Sequence, residues 1–133
     1  MIQEDKELLL KDLCARLNTN LVCSIYRIDD QGIGYRNEIL YGYCNIDGWN
    51  VFYFREDCGI IIDDISKIKP YLRPMSSMTE EEKLMYEGLM IGTDNISYML
   101  DVVDWLNKNH FDYRGLIGKS LALDATGLNI YKL

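Results

Sequence analysis

The chain has 133 residues, of which 48% are hydrophobic and 26% charged, a balance that fits one globular domain with a single core and excludes a wholly disordered polymer. Fourteen Lys and Arg against 21 Asp and Glu leave a formal charge of −7, which argues against a surface built to track a phosphate backbone. The acidic start from Met1 to Glu7 lacks the basic-then-apolar order of a secretory signal, and the longest apolar candidate, Ile60-Ile61-Ile62, stops at Asp63, far short of the roughly 18 residues of a membrane span.

Residues 3 to 17 read as a helix. Leu9, Leu10, Leu13, Cys14 and Leu17 recur at helical spacing, while Glu4, Asp5, Glu7, Lys11, Asp12 and Arg16 fall off that face. Asn18-Thr19-Asn20 is a stop signal. From Leu21 onward β-branched and aromatic residues take over, and the pattern predicts strands over 21–28 and from Gly34 to Tyr43 or Cys44, with a turn at Asp29-Asp30-Gln31-Gly32 between them. Asp47-Gly48 is the strongest hairpin signal, because a type I′ turn needs positive φ at both central residues. A two-residue turn there sets Ile46 opposite Trp49, Cys44 opposite Val51, Tyr43 opposite Phe52 and Tyr41 opposite Phe54. Alternation then places Tyr41, Tyr43, Phe52 and Phe54 on one face, and Cys44, Ile46, Trp49, Val51 and Tyr53 on the other. A short strand is expected from Cys58 to Ile62, completing an antiparallel meander of about four strands.

Pro70 and Pro74 hold the 67–75 segment extended. Thr79-Glu80-Glu81-Glu82 has the form of a capping box and predicts a helix from Glu80 to about Leu89. A second helix is expected from Asp94 to Asn107, with Ile96, Met99, Leu100, Val103 and Leu106 on one arc widened by Tyr98, Val102 and Trp105, so that only an acidic stripe meets water. A third short helix is expected over 113–123, and a loose or strand-like tail over 128–133.

Few groups carry chemistry. His110 is the one imidazole, and its place just after a helix reads as a capping group rather than a catalytic base. Cys14, Cys23, Cys44 and Cys58 lie far apart without a C-x-x-C pair, which reads as four reduced, mostly buried thiols and not as a zinc site. The acidic pairs Glu56/Asp57, Asp63/Asp64 and Asp101/Asp104 could in principle hold a metal or share a proton, but turn and helix-surface positions make solvated carboxylates the better reading. Gly32-Ile33-Gly34 lacks the further glycine, lysine and following helix of a phosphate loop. No cofactor, metal or catalytic residue is assigned. The aromatic residues are more telling. A hairpin that is aromatic on both faces exceeds what one helical layer can cover, so Tyr41, Tyr43, Trp49, Phe52, Tyr53 and Phe54 are the candidate binding residues.

Four C-terminal segments carry a resemblance: Leu72-Arg73-Pro74-Met75-Ser76-Ser77-Met78-Thr79-Glu80-Glu81, then Asp104-Trp105-Leu106, then His110-Phe111-Asp112-Tyr113-Arg114-Gly115-Leu116-Ile117, then Leu121-Ala122-Leu123. Together they resemble small uncharacterised proteins of phages and prophages of Bacteroides-like gut bacteria, in which an L-R-P-L-S-x-x-T segment precedes helices and an H-F-D-x-x-G-L-I-x-x-G-L-A-L ending follows. Met75 stands where leucine is usual, and Ser120 where glycine is usual. The resemblance covers about a third of the chain, implies a bacterial host cytoplasm as the setting, and transfers no activity.

These readings converge on one α+β domain over residues 1–133: an N-terminal helix, an antiparallel sheet of about four strands, and a helical C-terminal half. The expected function is that of a non-enzymatic phage or prophage accessory protein that binds another macromolecule, with inhibition of a host defence component as one form of it. An acidic protein suits that role because it can be steered to a basic surface. A small-ligand or nucleotide-binding module and a virion structural or assembly protein are the alternatives. The expected partner is a protein, with neither a membrane nor direct nucleic-acid binding.

Overall fold

The structure, a computed structural model, describes residues 1–29, 32–91 and 96–131. In chain order the elements are α1 (Gln3–Ala15), β1 (Val22–Asp29), β2 (Gly32–Ile46), β3 (Trp49–Phe54), β4 (Ile60–Ile62), β5 (Ile68–Pro74), α2 (Glu80–Met90), α3 (Ile96–Lys108), β6 (Phe111–Asp112) and β7 (Leu123–Asp124). The expected turn residues 30 and 31, and the expected helix start at Asp94, lie outside the described residues.

The sheet is larger than the sequence suggests. Seven strands form a mixed sheet in the order β4-β3-β2-β1-β5-β6, with β7 also paired to β5. The expected four-strand antiparallel sheet with a helical C-terminal half is therefore corrected on both counts. The extended 67–75 segment is a strand that pairs antiparallel with β1 and parallel with β6 and β7. The C-terminal half contributes two helices and returns twice to the sheet.

No helix forms over 113–123 among the described residues, although Leu116 and Leu121 are buried as a helical spacing would require. Gly115 (φ 75°) and Ser120 (φ 61°) both take the left-handed conformation and break the segment into turns. Asp112 caps these turns, its carboxylate accepting from the Leu116 N–H at 2.8 Å and the Ile117 N–H at 2.9 Å.

Strand β2 is 15 residues long and serves two partners. Gly32 to Ile39 pairs with β1, and Leu40 to Ile46 pairs with β3. The turn at Asp47 (φ 49°) and Gly48 (φ 87°) has the left-handed backbone of a type I′ hairpin, and Ile46 faces Trp49, Cys44 faces Val51 and Tyr43 faces Phe52. A bulge between Leu40 and Gly42 then shifts the register. Leu40, not Tyr41, stands opposite Phe54, and Tyr41 is the extra residue.

The main core lies between α1 and the sheet. Leu9 and Leu13 of α1 pack with Cys23, Ile25, Leu40, Phe52, Phe54, Ile68 and Leu72 from the strands, and with Leu116, Leu121 and Ala122 from the C-terminal turns. A smaller cluster of Met78, Val102, Leu106 and Phe111 joins α3 to the sheet edge, and Tyr86 and Leu89 of α2 pack against it. The capping box of α2 is complete: the Glu82 N–H donates to the Thr79 hydroxyl at 3.2 Å, and the Thr79 N–H donates to the Glu82 carboxylate at 2.9 Å. Among the described residues no helix is long and apolar enough to cross a membrane.

Candidate protein-binding face

The structure divides the six hairpin aromatics. Phe52 and Phe54 are fully buried in the main core, so neither can touch a partner while the protein is folded. Tyr43 is half-buried, its ring against Phe52 with centroids 5.2 Å apart, and its hydroxyl bonds the side chain of Asn50. Tyr53 is half-buried too. Only Tyr41, displaced outward by the bulge, and Trp49, beside the turn, present much surface, at 38% and 66% exposure. The hairpin thus faces the core with one aromatic side, and the candidate site shrinks to two separated residues.

The corner at residues 110–117 is built as a structural joint. The Arg73 N–H donates to the His110 carbonyl at 2.8 Å, which starts the parallel pairing of Arg73 with Phe111 and Pro74 with Asp112. Leu123 and Asp124 pair with Tyr71 and Leu72. Residues 111–112 and 123–124 therefore meet on β5. The Arg73 guanidinium lies 4.2 Å from the Phe111 ring centroid and grips the Glu82 carboxylate with two bonds of 2.6 and 2.7 Å, tying α2 to the sheet. That pairing holds the Glu82 carboxyl below the usual carboxylate range.

Asp12 and Arg16, expected on the wet side of α1, are both completely buried. Arg16 pairs with Asp12 at 2.9 and 3.1 Å and donates to the Phe111 carbonyl at 2.6 Å. Arg114 reaches the same Asp12 carboxylate at 3.0 Å and also bonds the Tyr113 hydroxyl, which donates to Asn107 at 2.7 Å. One signal was available in the sequence: Asp12 and Arg16 stand four apart, a spacing at which an ion pair can survive burial. The network ties α1 to the 107–114 corner.

His110 is part of the same joint. Its backbone takes the left-handed conformation that ends α3 (φ 64°), with the His110 N–H donating to the Asn107 carbonyl at 3.1 Å. The imidazole does not cap the helix; it stacks on Tyr131 with centroids 3.7 Å apart. Burial, followed by the nearby charges of Arg16 and Arg73, lowers its pKa to about 4. A neutral, enclosed imidazole of this kind is placed for packing. The groove of about 670 Å³ beside it is lined by Asn18, Thr19, Asn20, Arg73, Lys108 and Tyr131, among others. The Arg73 guanidinium there is already engaged by Glu82.

The cysteines depart from expectation as well: Cys23 is buried, Cys14 is half-buried, and Cys44 and Cys58 are exposed. Among the described residues no group of three or more His, Cys, Asp or Glu is placed to hold a metal ion.

Helix α3 is where the sequence expectation of a covered arc fails most. Val102, Leu106 and Asn107 are buried, and Trp105 is half-buried between Tyr86 and Phe111, with centroid separations of 6.3 and 5.5 Å. The N-terminal half of the helix is open, with residues 96–101 all exposed and Tyr98 52% exposed. Ile96, Met99, Leu100 and Val103 follow the i, i+3, i+4, i+7 rule of a single stripe, yet Ile96 is 76% and Leu100 59% exposed. Asp101 and Asp104 occupy the wetter arc beyond that stripe. On α2 no residue is fully buried, and Leu84, Met85 and Ile91 are exposed. A contiguous stripe of large apolar side chains on one helix is what a soluble monomer avoids unless another surface covers it. No family model, curated protein or solved structure matches the chain.

Proposed function

We propose that this chain is a binding protein that works through a macromolecular contact and uses the open stripe of α3 as its docking surface. The observation that carries the reading is the exposure of Ile96, Met99, Leu100 and Val103 on a helix whose C-terminal half is packed on the protein through Val102, Trp105 and Leu106 and whose first six residues are all exposed. The burial and stacking of His110, and the structural engagement of Arg16, Arg73 and Arg114, support a binding role over a catalytic one. The resemblance of the 72–123 segments supports a phage or prophage setting, in which the partner is a host protein and binding can serve inhibition of a defence component.

The test is affinity capture from bacterial extract with the wild-type chain, with Leu100→Glu, and with Trp49→Ala, each checked for an unchanged thermal melt. A partner retained by wild type and Trp49→Ala but lost by Leu100→Glu is the expected result. Retention by Leu100→Glu together with loss by Trp49→Ala would move the site to the 41–54 hairpin.

A further inference from the structure

Resting on that reading of α3, we infer that the occupant of the stripe is a basic amphipathic helix of a partner protein. Ile96, Met99, Leu100 and Val103 cover seven residue steps, about 10 Å along the axis, which matches two turns of a helix laid alongside. The stripe combines the unbranched, flexible Met99 and the γ-branched Leu100 with β-branched Ile96 and Val103, and Met99 lets it adapt its shape without a preformed cavity. Its solvent-side border is acidic. Asp101 and Asp104 are exposed on α3 itself, against only Lys108 as an exposed cation among the described residues of that helix.

An apolar stripe bordered by carboxylates is complementary to a helix whose apolar residues are flanked by Lys and Arg. A second copy of this chain is a poorer occupant. It would bring another acid-bordered stripe and a further net charge of −7.

The test uses the full chain and two synthetic helical peptides of identical Leu pattern, one with Lys and one with Glu at every flanking position, in fluorescence anisotropy titrations. The Lys peptide is expected to bind at least about tenfold more tightly than the Glu peptide and to weaken as salt is raised. Leu100→Glu should abolish that binding, Asp101→Lys combined with Asp104→Lys should reverse the preference between the peptides, and Trp49→Ala should leave both affinities unchanged. Equal binding of the two peptides, lost with Leu100→Glu, would overturn the charge assignment and leave the α3 face standing. Binding of the Lys peptide that survives Leu100→Glu would overturn both. Concentration-dependent dimerisation in sedimentation equilibrium, removed by Leu100→Glu, would overturn the basic helix in favour of a second copy.

Discussion

The β2–β3 hairpin and helix α3 are the two segments in which the sequence concentrates apolar side chains, and the fold treats them oppositely. The hairpin becomes interior: α1 lies over its inner face, and Phe52 and Phe54 lose all contact with water. Helix α3 sits at the rim of the sheet, where the small cluster around Phe111 covers its C-terminal half and leaves residues 96–101 open. Apolar periodicity reports how much surface a segment would gain by burying. Whether it is buried depends on how many elements reach it, and α3 is reached by few.

The largest expected effects fall on the covered side. Asp12→Ala removes the one carboxylate shared by Arg16 and Arg114 and leaves a fully buried guanidinium without its counter-charge, so it should cost about 3–5 kcal/mol in urea unfolding. Phe52→Ala should also cost about 3–5 kcal/mol, from the lost contacts and the cavity in the hairpin core. If Phe52→Ala costs no more than Leu100→Ala, the contrast between hairpin and helix is broken.

An intermediate effect comes from pH at the joint between α3 and the sheet. The fold holds His110 at about 4, against an ordinary value of 6.5, so between these values the unfolded chain takes up a proton that the folded chain refuses. The stability from this group is fully present above about pH 6.5 and is lost as pH falls toward 4. Glu82, whose carboxyl is lowered by Arg73, adds a further loss only as pH drops below its ordinary 4.5. Urea midpoints at pH 7, 5.5 and 4.5 should fall in wild type and fall less in His110→Asn, a residue that tolerates the left-handed backbone. An equal fall in both would show that His110 is open to solvent.

The smallest effect sharpens the contrast from the other side. Leu100→Ser should change stability by no more than about 0.5 kcal/mol, because the side chain is already mostly in water. A loss several times larger would mean that the stripe is covered within the monomer, and the docking surface would fall with it.

What was legible in the sequence is what local chemistry decides. The Asp47-Gly48 turn and the Thr79–Glu82 capping box each sit within four residues, and both form as read. The bulge at Tyr41 was not legible, because it answers to two partners at once: at Leu40 the strand leaves β1 and takes up β3. Strands β6 and β7 were hidden for a related reason. Each is two residues long and exists only because β5, at least 36 residues earlier, offers it an edge. In the 113–123 segment, Leu116 and Leu121 announced their burial but not the left-handed residues that deliver it. Of the candidate site, the aromatic content of the hairpin was visible and its burial was not. The open stripe of α3 was visible as a pattern and misread as a core, since a helical wheel carries no record of what stands beside the helix.

The last described residue of the chain gives the sheet a latch that can be timed. The Val22 N–H, at the first position of β1, donates to the Tyr131 hydroxyl at 2.9 Å, and that hydroxyl bonds the Tyr71 carbonyl on β5 at 2.8 Å. One phenol thus bridges the ends of two neighbouring strands from the far end of the chain. Hydrogen exchange at the Val22 amide should therefore follow detachment of the 125–131 tail rather than melting of the sheet, while the amide of Ile25, paired opposite Arg36 within the ladder, waits for a larger opening. The ratio of the two rates is a clock for how often the protein unlatches without unfolding.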